Sequence, residues 1–283
     1  MIGLDPSFGA FGFRAGELAL RIFSALLLIP LALAAAYAGR WPFALFWGAA
    51  AIGVLWEWIA LMSGTDRTSL LFAGAAALAL ALVLAVAGFD LAAVIVLAMG
   101  ALGAAALAPG ERQRWVAGGV PYAGCLVIAP IVLRSDAEYG FLAIIFLFAV
   151  VWTTDIAAYF VGRAVGGPKL VAEVSPNKTW SGAIAGLLAA IVAAIAVAKF
   201  AALAQWFAIA MLAVVLSVFA QAGDVFESFL KRRFGAKDSS RLIPGHGGLM
   251  DRLDGFVAAS VVAAVVGLSR GGFAAPGRGL LLW

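Results

Sequence analysis

The chain has 283 residues, 65% of them hydrophobic and only 12% charged, and its mean hydropathy is +1.07. Charge at about half the usual share of a globular protein, with apolar runs long enough to cross a hydrocarbon core, excludes a soluble fold and predicts an all-α, polytopic integral membrane protein. The net charge of +4 fits basic loops on one side of a membrane, not nucleic-acid binding, and the single cysteine, Cys125, excludes an intrachain disulfide.

About nine apolar runs succeed one another, at roughly 20–38, 43–62, 68–88, 91–108, 115–133, 139–162, 180–198, 203–223 and 254–269. The first ends in "AAAYAG", but it is long for the core of a signal peptide and a second run follows at once, so it is expected to be retained. In the second, Glu57 stands between Trp56 and Trp58, and the tryptophans suggest an interfacial position. Nine spans leave Arg40, Arg134, Lys199, Arg270 and Arg278 on one side and the other Lys and Arg residues on the opposite side, which is expected to be cytoplasmic. The two longest polar segments, 162–179 and 224–252, fall on that cytoplasmic side. The chain therefore divides into N-terminal transmembrane helices (1–110) and a C-terminal catalytic region (111–283).

Four polar segments of that second region could carry chemistry. In "WTTDIAAYFVG", Asp155 and Tyr159 are four apart on one face of the sixth run; an intramembrane aspartate is a functional candidate, although an interhelical hydrogen bond would also explain it. In "KLVAEVSPNKTWSG", Ser175 suits an N-cap and Pro176 a first helical position. Lys178 and Thr179 are then expected in the first helical turn, beside unpaired backbone donors that suit an anion; ordinary capping is the plainer alternative.

In "QAGDVFESFLKRRFG", a helix would gather Asp224, Glu227, Ser228, Lys231 and Arg232 in an arc of about 140°. A solvated interfacial helix would look similar, but this face mixes acids with bases, and Asp224 directly follows an apolar run. Last comes "GAKDSSRLIPGHGGLMDRLDG". Its glycines let backbone N–H groups approach an anion, and a helix starting near Leu249 would add its dipole. Asp251 and Asp254, three apart, share a helical face and could seat a hard cation. Lys237, Arg241 and Arg252 supply positive charge for phosphate oxygens. His246 suits a phosphate or base contact, or a turn; with no second histidine, zinc is not expected. Together these segments suit phosphoryl or nucleotidyl transfer at a bilayer edge, which depends on positioning and charge neutralisation.

The run "SFLKRRFGAKDSSRLIPGHGGLMDRLD", residues 228–254, closely resembles the signature of the phosphatidate cytidylyltransferases (CDP-diacylglycerol synthases), and "GDVFES", "SPNKTWSG" and "DIAAY" resemble that family's other polar segments. The resemblance implies transfer of CMP from CTP to phosphatidic acid, giving CDP-diacylglycerol and pyrophosphate, with Mg²⁺ required and K⁺ as a candidate second ion. Asp224, Asp251 and Asp254 are expected to hold the metal, and Asp224, Asp251, Lys231 and Arg252 to form the catalytic group. Lys178, Arg232, Lys237 and Arg241 would share the substrates' phosphates with Lys231 and Arg252. Ser175, Thr179, His246, Gly247 and Gly248 would shape the CTP pocket, with Asp155, Tyr159, Glu227 and Ser228 completing the substrate-binding set.

The implied setting is the inner membrane with the site facing the cytoplasm, and exposed apolar helices would allow a homodimer. The rival readings are a CDP-alcohol phosphotransferase, whose aspartate spacing "DRLDG" lacks, and a transporter for a phosphorylated solute. The transporter fits less well because the polar residues sit in one half of the chain.

Overall fold

A computed structural model describes residues 15–62, 67–108, 110, 113–240, 242–243 and 247–283. Helices α1 (Ala15–Ala38), α2 (Arg40–Met62), α3 (Arg67–Val86) and α4 (Asp90–Leu107) come first, followed by a short α5 (Gln113–Ala117) that leads into α6 (Gly119–Ser135). After α7 (Gly140–Val165) a two-stranded hairpin, β1 (Lys169–Val171) and β2 (Ser175–Thr179), precedes α8 (Trp180–Phe200), α9 (Trp206–Arg233), α10 (Met250–Gly271) and α11 (Pro276–Leu281). The fold is that of an all-α, polytopic integral membrane protein.

Among the described residues eight helical spans are long and apolar enough to cross a membrane: α2, α3, α4, Arg114–Ser135, α7, α8, α9 and α10. The expected run at 20–38 falls on α1, whose described apolar stretch is Leu26–Ala38. Large apolar side chains such as Phe72, Leu91, Ile95, Met99 and Phe207 point outward. That is the expected surface where the surrounding medium is hydrocarbon and every backbone polar group must be satisfied inside its own helix.

The interior joins the two halves of the chain. Helix α2 packs on α6 and α10, and Trp47 of α2 stacks on Phe256 of α10 with ring centroids 4.5 Å apart. Phe148 of α7 tilts against both rings. The hairpin corrects one expectation. Ser175 and Pro176 begin an antiparallel strand in which Val171 pairs with Ser175 and Lys169 with Thr179; they do not begin a helix. The helix starts four residues later, where Thr179 is extended (φ −122°, ψ 155°) and its hydroxyl accepts the Gly182 N–H. Proline's fixed φ suits an extended edge strand as well as a first helical turn, which is why the two readings compete at Ser-Pro.

Candidate active site

Helices α9 and α10 cross closely because Gly223 faces the backbone of α10. A Cβ at Gly223 would lie 2.5 Å from the Asp254 carbonyl oxygen, so only glycine allows this approach, the small-residue packing that lets membrane helices touch. The crossing joins Asp224 and Glu227 of α9 to Asp254 of α10. One carboxylate oxygen from each lies within 4.8 Å of the others.

Two lysines neutralise parts of this cluster. Lys178, at the end of the hairpin, places its Nζ 2.6 Å from Asp224 Oδ2. Lys231, one helical turn beyond Glu227, lies 2.6 Å from Glu227 Oε2 and 2.5 Å from Asp251 Oδ1. Glu227 is almost wholly buried, and apart from this ion pair neither of its carboxylate oxygens receives a hydrogen bond. Such a carboxylate has lone pairs in want of a cation. Three hard oxygen donors, one of them short of partners, fit a cation of the magnesium type.

Two of the three carboxylates expected at the metal, Asp224 and Asp254, meet in this trio. Glu227, expected only as a substrate contact, stands in the carboxylate trio, and Asp251 does not. Asp251 sits in the first turn of α10, where its Oδ2 accepts from the N–H groups of Gly248 (2.8 Å) and Ser239 (3.1 Å) and from Ser239 Oγ (3.0 Å). With Lys231 on its other oxygen, it anchors the glycine turn and leaves Asp254, three residues on, to face the trio. Gly247 in that turn has φ +86°, a left-handed conformation in which glycine is unstrained.

A cavity of about 1870 Å³ opens beside the cluster. Asp155, Tyr159, Lys178, Thr179, Asp224, Glu227, Lys231, Asp251, Arg252 and Asp254 all line it. Much of the rest of its wall is apolar, with Leu28, Ile29 and Leu31 of α1, Leu45 and Phe46 of α2, and Trp152 and Ile156 of α7. One volume thus joins a charged end to a greasy one.

Other expected site residues stand apart. Ser175, Ser228, Arg232 and Lys237 do not line the cavity. Arg232 turns its guanidinium toward the backbone carbonyls of Val174 and Ala236 at 3.4 and 3.5 Å, and Lys237 is exposed. The arc expected on α9 is therefore split: Asp224, Glu227 and Lys231 face inward, while Ser228 and Arg232 lie to the side. Gly247 and Gly248 belong to the turn held by Asp251, and Arg241 and His246 lie outside the described residues.

The sequence reading missed the inward position of Gln221, Asn177 and Asp238, all of which line the cavity. It also left the partners of Glu57 unread. Glu57 is fully buried, and Ser239, Ser240, Leu249 and Met250 donate hydrogen bonds to it.

Comparison with known proteins adds an independent finding. The sequence model of the cytidylyltransferase family matches residues 19–269. The phosphatidate cytidylyltransferase of Brucella suis is 43% identical over 252 residues, which cover 87% of this chain and 92% of that protein. The protein of the same name from Brucella abortus is 42% identical over the same shares. The Bacillus subtilis protein of that name is 42% identical over 126 residues, 44% of this chain and 47% of the relative.

Proposed function

The chain belongs to the cytidylyltransferase family, and we infer that it transfers CMP from CTP to phosphatidic acid, giving CDP-diacylglycerol and pyrophosphate. It is a nucleotidyltransferase of phospholipid biosynthesis. A phosphate oxygen of phosphatidic acid forms a bond to the α-phosphorus of CTP, and the bond from that phosphorus to the bridging β-phosphate oxygen breaks. Pyrophosphate leaves with the electron pair. The attacking oxygen is already ionised at neutral pH, so the reaction needs alignment and charge neutralisation more than a strong base.

The observation that carries this reading is the cavity itself. Its apolar wall suits two acyl chains, and its other end presents Lys178, Lys231 and Arg252 beside the carboxylate trio. We assign Mg²⁺ to Asp224, Glu227 and Asp254; when bound, such an ion neutralises charge on phosphate oxygens and orients them. Lys178 and Lys231, each already beside a carboxylate, would turn toward the triphosphate and steady its leaving end. Arg252 offers a planar pair of donors for a phosphate. Asp251 holds Lys231 and the glycine turn in register. K⁺ as a second ion rests on the family resemblance alone. The basic ends of β2 and α9 around the site support a cytoplasmic face of the inner membrane.

The test is direct. Purified protein with CTP, phosphatidic acid and Mg²⁺ should release pyrophosphate, and omitting the lipid should stop the release. Pyrophosphate release without lipid, or none with all three present, would contradict the proposal. A transporter is not favoured, since the match extends over 92% of a relative named for the transferase reaction.

A further inference from the structure

We infer that Glu57, on α2 of the N-terminal half, is a positioning residue for the nucleotide end of the site, clamping Ser239 and Ser240 against Leu249 and Met250. Each of its carboxylate oxygens takes one donor from each of these two pairs. Oε1 accepts from Ser240 Oγ at 2.5 Å and from the Leu249 N–H at 2.7 Å. Oε2 accepts from Ser239 Oγ at 3.0 Å and from the Met250 N–H at 2.6 Å. Four donors satisfy a carboxylate that has no exposed surface, as a buried charge requires. Two of them are the N–H groups of Leu249, the N-cap of α10, and of Met250, its first residue, and Leu249 has no capping side chain of its own. A carboxylate from a distant helix therefore does the work of an N-cap and meets the positive end of the dipole.

The clamp connects to the site through shared partners. Ser239 Oγ lies 3.0 Å from Glu57 Oε2 and 3.0 Å from Asp251 Oδ2, so its single proton serves both acids. Asp251 in turn holds Lys231, and Lys231 holds Glu227. The turn passes against the clamp without a gap: a Cβ at Gly248 would fall 1.8 Å from Ser239 Oγ and 2.8 Å from Glu57 Oε1. Glu57 itself does not line the cavity. It acts on substrate only through the turn, Asp251 and Lys231, and this role rests on the reading of that end of the cavity as the CTP seat.

The experiment compares Glu57→Gln with Asp136→Asn as a structural control, both purified in detergent. Asp136 is another buried carboxylate, accepting the backbone N–H groups of Glu138 (2.9 Å), Tyr139 (2.9 Å) and Arg278 (2.8 Å) away from the cavity. Both substitutions put an NH₂ where acceptor oxygens stood, and both should lower the melting temperature. Only Glu57→Gln should raise the KM for CTP, on the order of tenfold, as supporting-shell changes do, with the KM for phosphatidic acid unchanged.

A Glu57→Gln protein that melts earlier yet keeps its CTP KM within twofold of the parent would overturn the inference. If Glu57→Gln cannot be recovered folded, Ser240→Ala decides, because it removes a single donor. A several-fold rise in CTP KM is expected, and an unchanged value refutes the clamp. A parent protein that turns over no CTP would instead refute the reaction, and this inference with it.

Discussion

Replacing Asp251 by Asn separates an anchor of the turn from a metal ligand. The carboxylate accepts from Lys231 Nζ on Oδ1, and from Ser239 N, Ser239 Oγ and Gly248 N on Oδ2. The best placement for the amide puts its carbonyl at Oδ2 and its NH₂ against Lys231. One charged contact of about 1.5–3 kcal/mol is then lost, and three others fall to neutral strength, losing about 1 kcal/mol each. The sum is about 4–6 kcal/mol, and with the side chain only 8% exposed water makes up little of it.

Against a total stability of about 5–15 kcal/mol, the variant should melt roughly 10 °C lower or more and lose most turnover through a raised KM for CTP. Its half-saturating Mg²⁺ concentration should stay near that of the parent. Glu227→Gln should do the opposite: Lys231 keeps Asp251 as a partner, so the fold survives, while about tenfold more Mg²⁺ is needed. Initial rates across a Mg²⁺ titration, with melting curves of the same preparations, measure both. If Asp251→Asn shifted the Mg²⁺ requirement without altering melting, and Glu227→Gln did not shift it, the assignment of the trio would be refuted.

Lys178→Ala should leave the fold nearly intact, because its pair with Asp224 is partly exposed (24% and 39%) and such pairs contribute about 0–1 kcal/mol. Its KM for CTP should rise several-fold, and an unchanged CTP dependence would remove Lys178 from the phosphate site. Gly223→Val should force α9 and α10 apart, since even a Cβ would stand 2.5 Å from the Asp254 carbonyl oxygen. A stability loss of about 1–3 kcal/mol and near-complete loss of activity are expected, and normal turnover would show that the close crossing does not organise the site.

The spans were legible because an apolar run of bilayer length permits little else, and α9 continued past its apolar run into polar sequence, as its charges on one arc predict. The start of α10 was also legible, with Leu249 as its N-cap. Local reading failed where partners come from afar. Asp251 and Asp254 do share a helical side by spacing, but Asp251 accepts from Ser239, Gly248 and Lys231, while Glu227 lies on the helix that crosses Asp254. No spacing rule contains that crossing; the nearest signal was Gly223 directly before Asp224. At Ser175–Pro176 two backbone states shared one sequence cue, and the later Thr179, with Gly182 three residues on, was the true cap. The partners of Glu57 were not legible because the donors that bury it are 182 to 193 residues away in the chain.

The central claim, attack on the α-phosphorus of CTP by a lipid phosphate at this site, is tested most directly by following label. CTP labelled at the α-phosphorus should transfer its label to the organic-soluble lipid, while label at the γ-phosphorus should remain in water as pyrophosphate. Label from the γ-position in the lipid, or none from the α-position, would contradict the account.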